Sequence, residues 1–452
     1  MWSPNALRNI SHCGHDLLGV IPSSRWDVDE AANNLHDSPP EVARRVQHGG
    51  FLSNAEHFEH GFFGVSVAEA SAMDPQQRQL LELGYGAFYA AGMAKSLLLG
   101  SITAVNVGQW QSEFGSVLLR TPAGRSVYAS TGFSCSVTCG RVSFVLGLQG
   151  PCASYDTACS ASLVGNHGSV RALQRLECGL ALSAGVNMIL DPSAMRGNAL
   201  AGFTSVRGRS HTFDVRADGY ARGEAIDAIA CQLDEEEVVL GMLGSAVRQD
   251  GRSASLTAPN GQAQQGVLMA SAADAHLGAG RVGALEAHGT GTALGDPIEA
   301  GAVAAVFLAQ RCMDPFVVGS LKANAGHTEP GAGLAGSLKL LMQLHDDAIS
   351  PNAQLRSLNP HVGASLRSHE PCALPTQLKA LRMPEGEAVS GGVSSFGYSG
   401  TIVHAVVRHA DGEGGKGLLA SRSQLRVGTC VLKSPQSPLL AYHRRAFAWR
   451  DT

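Results

Sequence analysis

The sequence predicts an α/β fold in which parallel strands alternate with helices, and two stretches carry that prediction. Around Cys159, a strand-like run from Pro151 to Tyr155 leads through small residues into a helical pattern with apolar positions at Leu163, Val170, Leu173 and Leu176. A second strand-like run follows from Leu180 to Ile189. Further on, Val282 to Ala287 and Phe316 to Gly319 each read as a strand that empties into a loop holding glycine and histidine. Strand–helix–strand units of this kind imply a parallel sheet covered by helices. The chain divides into two halves of this character, residues 1–250 with the cysteine and 251–410 with the histidines. Residues 411–452 form a linker-like tail opened by Asp411-Gly412-Glu413-Gly414-Gly415.

Composition narrows the function classes. A chain of 452 residues that is 44% apolar and 16% charged can bury a sizeable core. Its formal charge of −4 gives no electrostatic case for nucleic acid. Ten cysteines without regular spacing do not make a disulfide framework, and the absence of a C-x-x-C pair gives a zinc site little support. No apolar run approaches the length of a membrane span, and no signal-peptide core follows Met1. These features point to the cytoplasm, or to an organelle that keeps thiols reduced.

Taken in order, residues 1 to about 60 are turn-rich, and Ile21 to Asp27 reads as a loop. A helix follows with Asp74 as its cap and Pro75 at its first position, running through Leu80, Leu81 and Leu83 towards Gly92. Ile102 to Val107 reads as a short buried strand, and Val127 to Leu146 as one helix before the turn Gly147 to Gly150. Beyond a loop-rich piece, Ile226 to Leu233 is strand-like although Asp227 interrupts it, Val238 to Val247 continues the pattern, and Gln264 to Leu277 is helical. Asp296-Pro297-Ile298-Glu299 reads as a helix start, with Asp296 as cap and Glu299 closing a capping box. A helix from near Gly331 to about His345 follows, and Ala388–Val393 with Ile402–Val407 form a hairpin.

The chemistry concentrates in three places. Cys159 lies on a strand-to-helix elbow between Ala158 and Ser160, where a nucleophile is exposed and the helix dipole favours thiolate. Taken alone it is more often a buried structural cysteine. His288 and His327 alone would be ordinary loop histidines, Lys322 a solvated charge and Glu299 a cap. Together they offer a nucleophile, two imidazoles and a cation at one sheet edge, a set suited to acyl transfer through a thioester with donors aimed at a developing enolate. Two glycine patterns, Gly331-x-Gly333-x-x-Gly336 and Gly278-x-Gly280-x-x-Gly283, match a dinucleotide fingerprint but lack its strand context and acidic partner. No G-x-S-x-G occurs, which counts against a serine hydrolase.

Asp156-Thr157-Ala158-Cys159-Ser160, His288-Gly289-Thr290-Gly291-Thr292 and Lys322-Ala323-Asn324-Ala325-Gly326-His327 resemble the three signatures of β-ketoacyl synthases, and the similarity runs from about residue 17 to 408. The Ile21 to Asp27 loop and Met73 to Arg78 look like the polyketide synthase branch more than the stand-alone fatty-acid enzymes, and the tail from Leu439 to Phe447 resembles the linker that follows such domains. The resemblance implies a thiolase-like fold, two related βα halves in a five-layered αβαβα sandwich that dimerises through the cysteine half. It implies that Cys159 takes an acyl chain from the phosphopantetheine arm of an acyl carrier protein, with no bound cofactor. His288 and His327 would then stabilise the enolate of a decarboxylated malonyl carrier. Lys322 would orient His327, Glu299 would support the charge network, and the N–H groups of Cys159 and Tyr398 would form an oxyanion hole beside Phe396. Other polyketide synthase domains are the implied neighbours. Two further readings are a non-elongating ketosynthase that binds carrier protein without condensing, and a thiolase using coenzyme A, which the Lys322 to His327 motif disfavours.

Four departures from the family pattern stand out. The chain begins after the apolar strand and arginine-containing loop that usually open the family, so a strand of the first half is expected to be missing, leaving residues 100 to 110 as a sheet edge. Ala225-Ile226-Asp227 places a carboxylate where a small residue is expected, Ile402-Val403 replaces an Asn-containing pair, and Tyr398 stands where a gating phenylalanine is common.

Overall fold

The computed structural model describes residues 4–33, 35, 37–234, 240–309, 311, 315–367, 372–381, 389–409, 426–429 and 440–449. Eleven strands form its main sheet. The first half supplies β1 (Thr103–Gly108), β2 (Cys152–Tyr155), β3 (Leu180–Asn187) and β4 (Ala225–Asp234). The rest of the chain adds β5 (Leu240–Gln249), β6 (Ala284–Glu286), β7 (Phe316–Gly319), β8 (Cys372–Ala373), β9 (Val389–Phe396), β10 (Thr401–His409) and β11 (Arg426–Thr429). Across the sheet they run β8-β7-β6-β9-β10-β5-β11-β4-β3-β1-β2.

This order contains one pattern twice. In the first half β2, β1 and β3 are parallel, β4 is antiparallel to β3, and β11 is antiparallel to β4. In the second half β7, β6 and β9 are parallel, β10 is antiparallel to β9, and β5 is antiparallel to β10. The position that β5 holds in one half is filled in the other by β11, from far down the chain, and β11 pairs with β5 as well. The expectation of an exposed edge at residues 100 to 110 is therefore corrected. β1 lies between β2 and β3 with all six residues buried, and the sheet ends at β2 and β8.

Helices complete five layers. The sheet folds around a central pair, α4 (Ala161–Gln174) and α8 (Ala332–His345), which touch each other and the strands of both halves. Outside the first half lie α2 (Pro75–Ala90) and α3 (Cys135–Leu146), and outside the second lie α5 (Gly261–Asp274) and α6 (Gly295–Val303). Close approach at the centre depends on residues without a side chain. A Cβ on Gly108 would sit 2.2 Å from the Ser162 nitrogen, and one on Gly333 would sit 2.6 Å from the Leu163 Cβ. Gly333 and Gly336 thus serve helix packing within the 331–336 pattern and form no nucleotide loop. At the chain start α1 (Pro4–His12) packs on α8, with Arg8 bonded to Asp346 at 3.0 Å.

Local expectations fare unevenly. Asp74 caps α2 by accepting from the Gln76 N–H at 2.7 Å. The run Val127 to Leu146 is not one helix. It breaks after Ala129–Gly132, and the freed Gly132 carbonyl accepts the Asp74 N–H at 2.7 Å. Leu176 falls beyond the end of α4, at φ +58° and 73% exposed, so it is no part of the apolar face. Residues 411–415 lie outside the described residues. The described tail residues pack back on the first half: Arg445-Ala446 pairs with His57-Phe58, and the buried Arg78 donates to the Phe447 carbonyl at 3.1 Å.

Candidate active site

β2 ends at Tyr155, and the chain turns through one tight helical turn, Ala158–Ser160, into α4. Ala158 takes φ +55°, unusual for a residue with a side chain, which marks the elbow as held by its surroundings. The Cys159 carbonyl accepts from Ser395 Oγ at 2.7 Å, tying the elbow to β9. Cys159 is only 9% exposed, and burial pushes its thiol up to about 12, helped by the nearby Glu329 carboxylate. The charge of Lys322 and the backbone N–H groups of Tyr398 and Cys159 pull the other way and lose. The expectation of a helix-stabilised thiolate is corrected accordingly: desolvation outweighs the helix terminus, and the resting group is a thiol.

Both histidines converge on this sulfur. His327 follows α7 (Lys322–Ala325) and Gly326, and its backbone N–H donates to Ala221 O at 2.7 Å. Its Nε2 lies 2.9 Å from Cys159 Sγ, and its Nδ1 accepts from the Glu329 N–H at 3.3 Å. His288 leaves β6, and its Nδ1 accepts from the Phe396 N–H at 3.2 Å. A backbone N–H can only donate, so each Nδ1 is unprotonated and each neutral ring carries its proton on Nε2. Burial first, then the Lys322 charge, holds both imidazoles well below the usual histidine range, so both are neutral at pH 7. Their ring centroids are 5.6 Å apart at near right angles.

A buried network fixes these rings. Glu299 does not close a capping box. Its two carboxylate oxygens accept the N–H groups of His288 at 2.7 Å and Gly289 at 2.8 Å. Asp296 likewise is not the helix cap, because it lies inside α6 and accepts from Phe213 N at 2.8 Å and Gly291 N at 3.0 Å. Buried backbone N–H groups need acceptors, and these two carboxylates supply them. Burial raises Glu299 to about 7 and Asp296 to about 6. Lys322 is buried, and desolvation holds it below the usual lysine range against the opposing pull of the Glu286 and Glu299 carboxylates. Sequence reasoning missed a second cluster, in which fully buried Arg222 grips Glu329 at 2.9 Å and Glu113 at 2.8 Å. Glu329 lies two residues beyond His327, and that proximity was the only available signal.

Cys159, His288, His327, Glu299 and Glu329 line a cavity of about 430 Å³ with Trp110, Phe203 and Tyr398 on its walls. Phe396 is buried against His288, whereas Tyr398 is 47% exposed and faces Phe203 at 6.1 Å. The arrangement offers a thiol, two N–H donors of fixed tautomer and two backbone N–H groups around one space. It is equipped to exchange thioesters and to stabilise an enolate.

Comparison with known proteins agrees with this chemistry. Residues 8–236 match the family model described as "Beta-ketoacyl synthase, N-terminal domain", and residues 241–356 match the one described as "Beta-ketoacyl synthase, C-terminal domain". Erythronolide synthase EryA2 of Saccharopolyspora erythraea is 36% identical over 100% of this chain, which covers 13% of that protein. Polyketide synthase GfsB of Streptomyces halstedii is 39% identical over 90% of this chain and 7% of its own length. The chain thus spans under a third of the curated relatives it matches. Among solved structures, the ketosynthase from module 6 of the bacillaene synthase of Bacillus subtilis 168 superposes with a TM-score of 0.80 at 31% identity, over 90% of this chain and 69% of that one. An oxazolomycin ketosynthase domain of Streptomyces albus JA3453 gives 0.81 at 29% identity, over 89% and 71%.

Proposed function

The chain belongs to the β-ketoacyl synthase family, with its thiolase-like fold, and on that premise we propose that it is a condensing ketosynthase of the polyketide type. One observation carries the reading: two neutral imidazoles, both with Nε2–H, line one cavity with the buried Cys159 thiol. The division into residues 1–250, 251–410 and a tail of 411–452 belongs to the same proposal, with β5 at the junction.

In the first half-reaction the Cys159 sulfur attacks the acyl thioester held on a carrier protein's phosphopantetheine. The N–H groups of Cys159 and Tyr398 stabilise the tetrahedral oxyanion. The carrier thiolate is expelled and takes the proton that Cys159 loses, so the exchange is proton-neutral. In the second, a malonyl carrier places its thioester oxygen between the two Nε2–H groups. The C–C bond to the carboxylate breaks, carbon dioxide leaves, and the electron pair resides on that oxygen as an enolate. The enolate carbon attacks acyl-Cys159, and the C–S bond breaks. The released thiolate is stabilised by His327 Nε2–H until it takes up a proton, the one proton that condensation consumes. Two fixed neutral donors suit this chemistry, since charge appears on the oxygen only during reaction. Glu299 and Lys322 support the histidine loops and set the local field.

A non-elongating role is disfavoured because the nucleophile and both donors are all present. The partners in this reading are an acyl carrier protein, neighbouring synthase domains and a second copy of the chain meeting at the cysteine half. The setting is the cytoplasm or an organelle; no described helix is long and apolar enough to cross a membrane. The test is intact-protein mass spectrometry with acyl and malonyl carrier proteins. Wild type gains one acyl mass and then releases a β-ketoacyl carrier, while Cys159→Ala gains none. An acyl adduct on the mutant would overturn the nucleophile assignment and direct attention to Cys152, the exposed cysteine that opens β2.

A further inference from the structure

The catalytic cavity contains two side-chain oxygens that none of the described residues hydrogen-bonds. Asp250, at the end of β5, is 9% exposed, and Gln264, in the first turn of α5, is 2% exposed; both line the cavity that holds Cys159. Asp250 Oδ1 and Gln264 Oε1 are buried and have no hydrogen-bond partner among the described residues. Their backbones are fixed to one another through Asn260, whose Nδ2 donates to the Asp250 carbonyl at 2.7 Å and whose carbonyl accepts the Gln264 N–H at 3.0 Å. The Asp250 N–H donates to Gly400 O at 2.8 Å, which ties the pair to the turn bearing Tyr398. Ile402 packs with Val267 and Phe396 beside α5 and brings no donor.

A buried acceptor without a donor loses its hydration and gains nothing in return, and where it lines a substrate cavity a bound ligand can supply the missing donor. We propose that Asp250 and Gln264 are binding residues that accept hydrogen bonds from a neutral donor on the thioester substrate. The donor is a hydroxyl of the acyl chain or an amide N–H of the phosphopantetheine arm. The inference builds on the ketosynthase reading and adds a substrate preference to it. It is consistent with the Asp250 carboxyl, which burial raises to about 6 and which is therefore mostly ionised, an acceptor, at neutral pH.

The experiment measures the rate of Cys159 acylation by intact mass on the full chain, with 3-hydroxyhexanoyl and hexanoyl groups each presented as pantetheine and as ethyl thioesters. If the donor is the acyl hydroxyl, wild type loads the hydroxyacyl esters about tenfold or more faster than the hexanoyl esters. Asp250→Asn, which replaces one carboxylate oxygen with an amide nitrogen that can only donate, and Gln264→Met then erase that gap by slowing only the hydroxyacyl esters. If the donor is the arm, wild type favours both pantetheine esters over both ethyl esters, and the same variants remove that preference. Melting temperatures identify any variant that fails to fold, and the near-isosteric Asp250→Asn keeps the test open if Gln264→Met does. Ratios unchanged by either folded variant overturn the inference while leaving the ketosynthase reading intact. No adduct with any of the four esters in wild type overturns both.

Discussion

Replacing Asp227 with alanine is expected to stabilise the protein at neutral pH, by an amount that grows with pH. Asp227 sits in β4 opposite Gly185 of β3, with its Oδ2 against Gly331 and no hydrogen-bond partner among the described residues. It borders a cavity of about 90 Å³ between α2 and α8, and burial alone raises its carboxyl from 3.8 to about 8. The unfolded chain ionises this group near pH 4, whereas the folded chain keeps it protonated until about pH 8. Between these values the native state binds the extra proton, so stability falls as pH rises, at about 1.4 kcal/mol per pH unit. The penalty is absent below pH 4, reaches about 4 kcal/mol at pH 7 and levels off above pH 8. Losing the side chain's packing costs about 1 kcal/mol in return, leaving a net gain of about 3 kcal/mol at pH 7. Urea unfolding of wild type and Asp227→Ala at pH 5, 6, 7 and 8 isolates the residue, because the other buried carboxyls cancel in the difference. A stability gap that stays flat across that range would refute the reasoning.

Three further outcomes follow from the site and its supports. His327→Ala is expected to cut malonyl decarboxylation by about 100- to 1000-fold while leaving Cys159 loadable, measured as carbon dioxide release and acyl mass on the same sample. Glu299→Gln turns an amide donor towards the N–H of His288 or Gly289, and a loss of about 1.5–3 kcal/mol is expected in urea unfolding, with a parallel fall in condensation rate. Arg25→Ala removes the counter-ion of the buried Glu224, which it meets at 3.0 Å, and a loss of about 3–5 kcal/mol is expected by the same assay.

The strands, the elbow at Cys159 and the two histidine loops were legible because each is a local pattern: an apolar run, small residues at a bend, glycine beside histidine. Asp296 and Glu299 show where local patterns mislead. Asp-Pro-x-Glu fits a helix start, and nothing nearby reveals that loop N–H groups at 213, 288, 289 and 291 compete for the same oxygens. The longer-range contacts win because a buried N–H left without an acceptor is costly, whereas a helix start can do without a side-chain cap. Arg222, Glu329 and Glu113 were illegible for a related reason, since each alone reads as a surface charge and only folding brings them together across more than 200 residues. The place of β11 could not be read either, because strand pairing between residues 231–234 and 426–429 leaves no mark on either segment alone.

The state of the nucleophile follows from the same competition between local and distant effects. A helix terminus favours thiolate by at most a couple of kcal/mol. Folding buries the sulfur and brings the Glu329 carboxylate near it, and each acts against thiolate. Arg222 holds that carboxylate in place. A thiol that stays protonated at rest is protected from oxidation and adventitious alkylation, because the thiolate is the reactive form. Thioester exchange does not require a standing thiolate, since the departing carrier sulfur can take the proton as the new bond forms. The imidazoles follow the same logic. Held neutral by burial and by Lys322, they carry no charge that, in the proposed reaction, would bind a malonyl carboxylate and hinder its loss, while their Nε2–H groups remain available to an enolate oxygen. Burial that would disable a thiolate-dependent enzyme is therefore compatible with a condensing one, provided the donors are fixed before the substrate arrives, and the Glu329 and Phe396 N–H groups fix them.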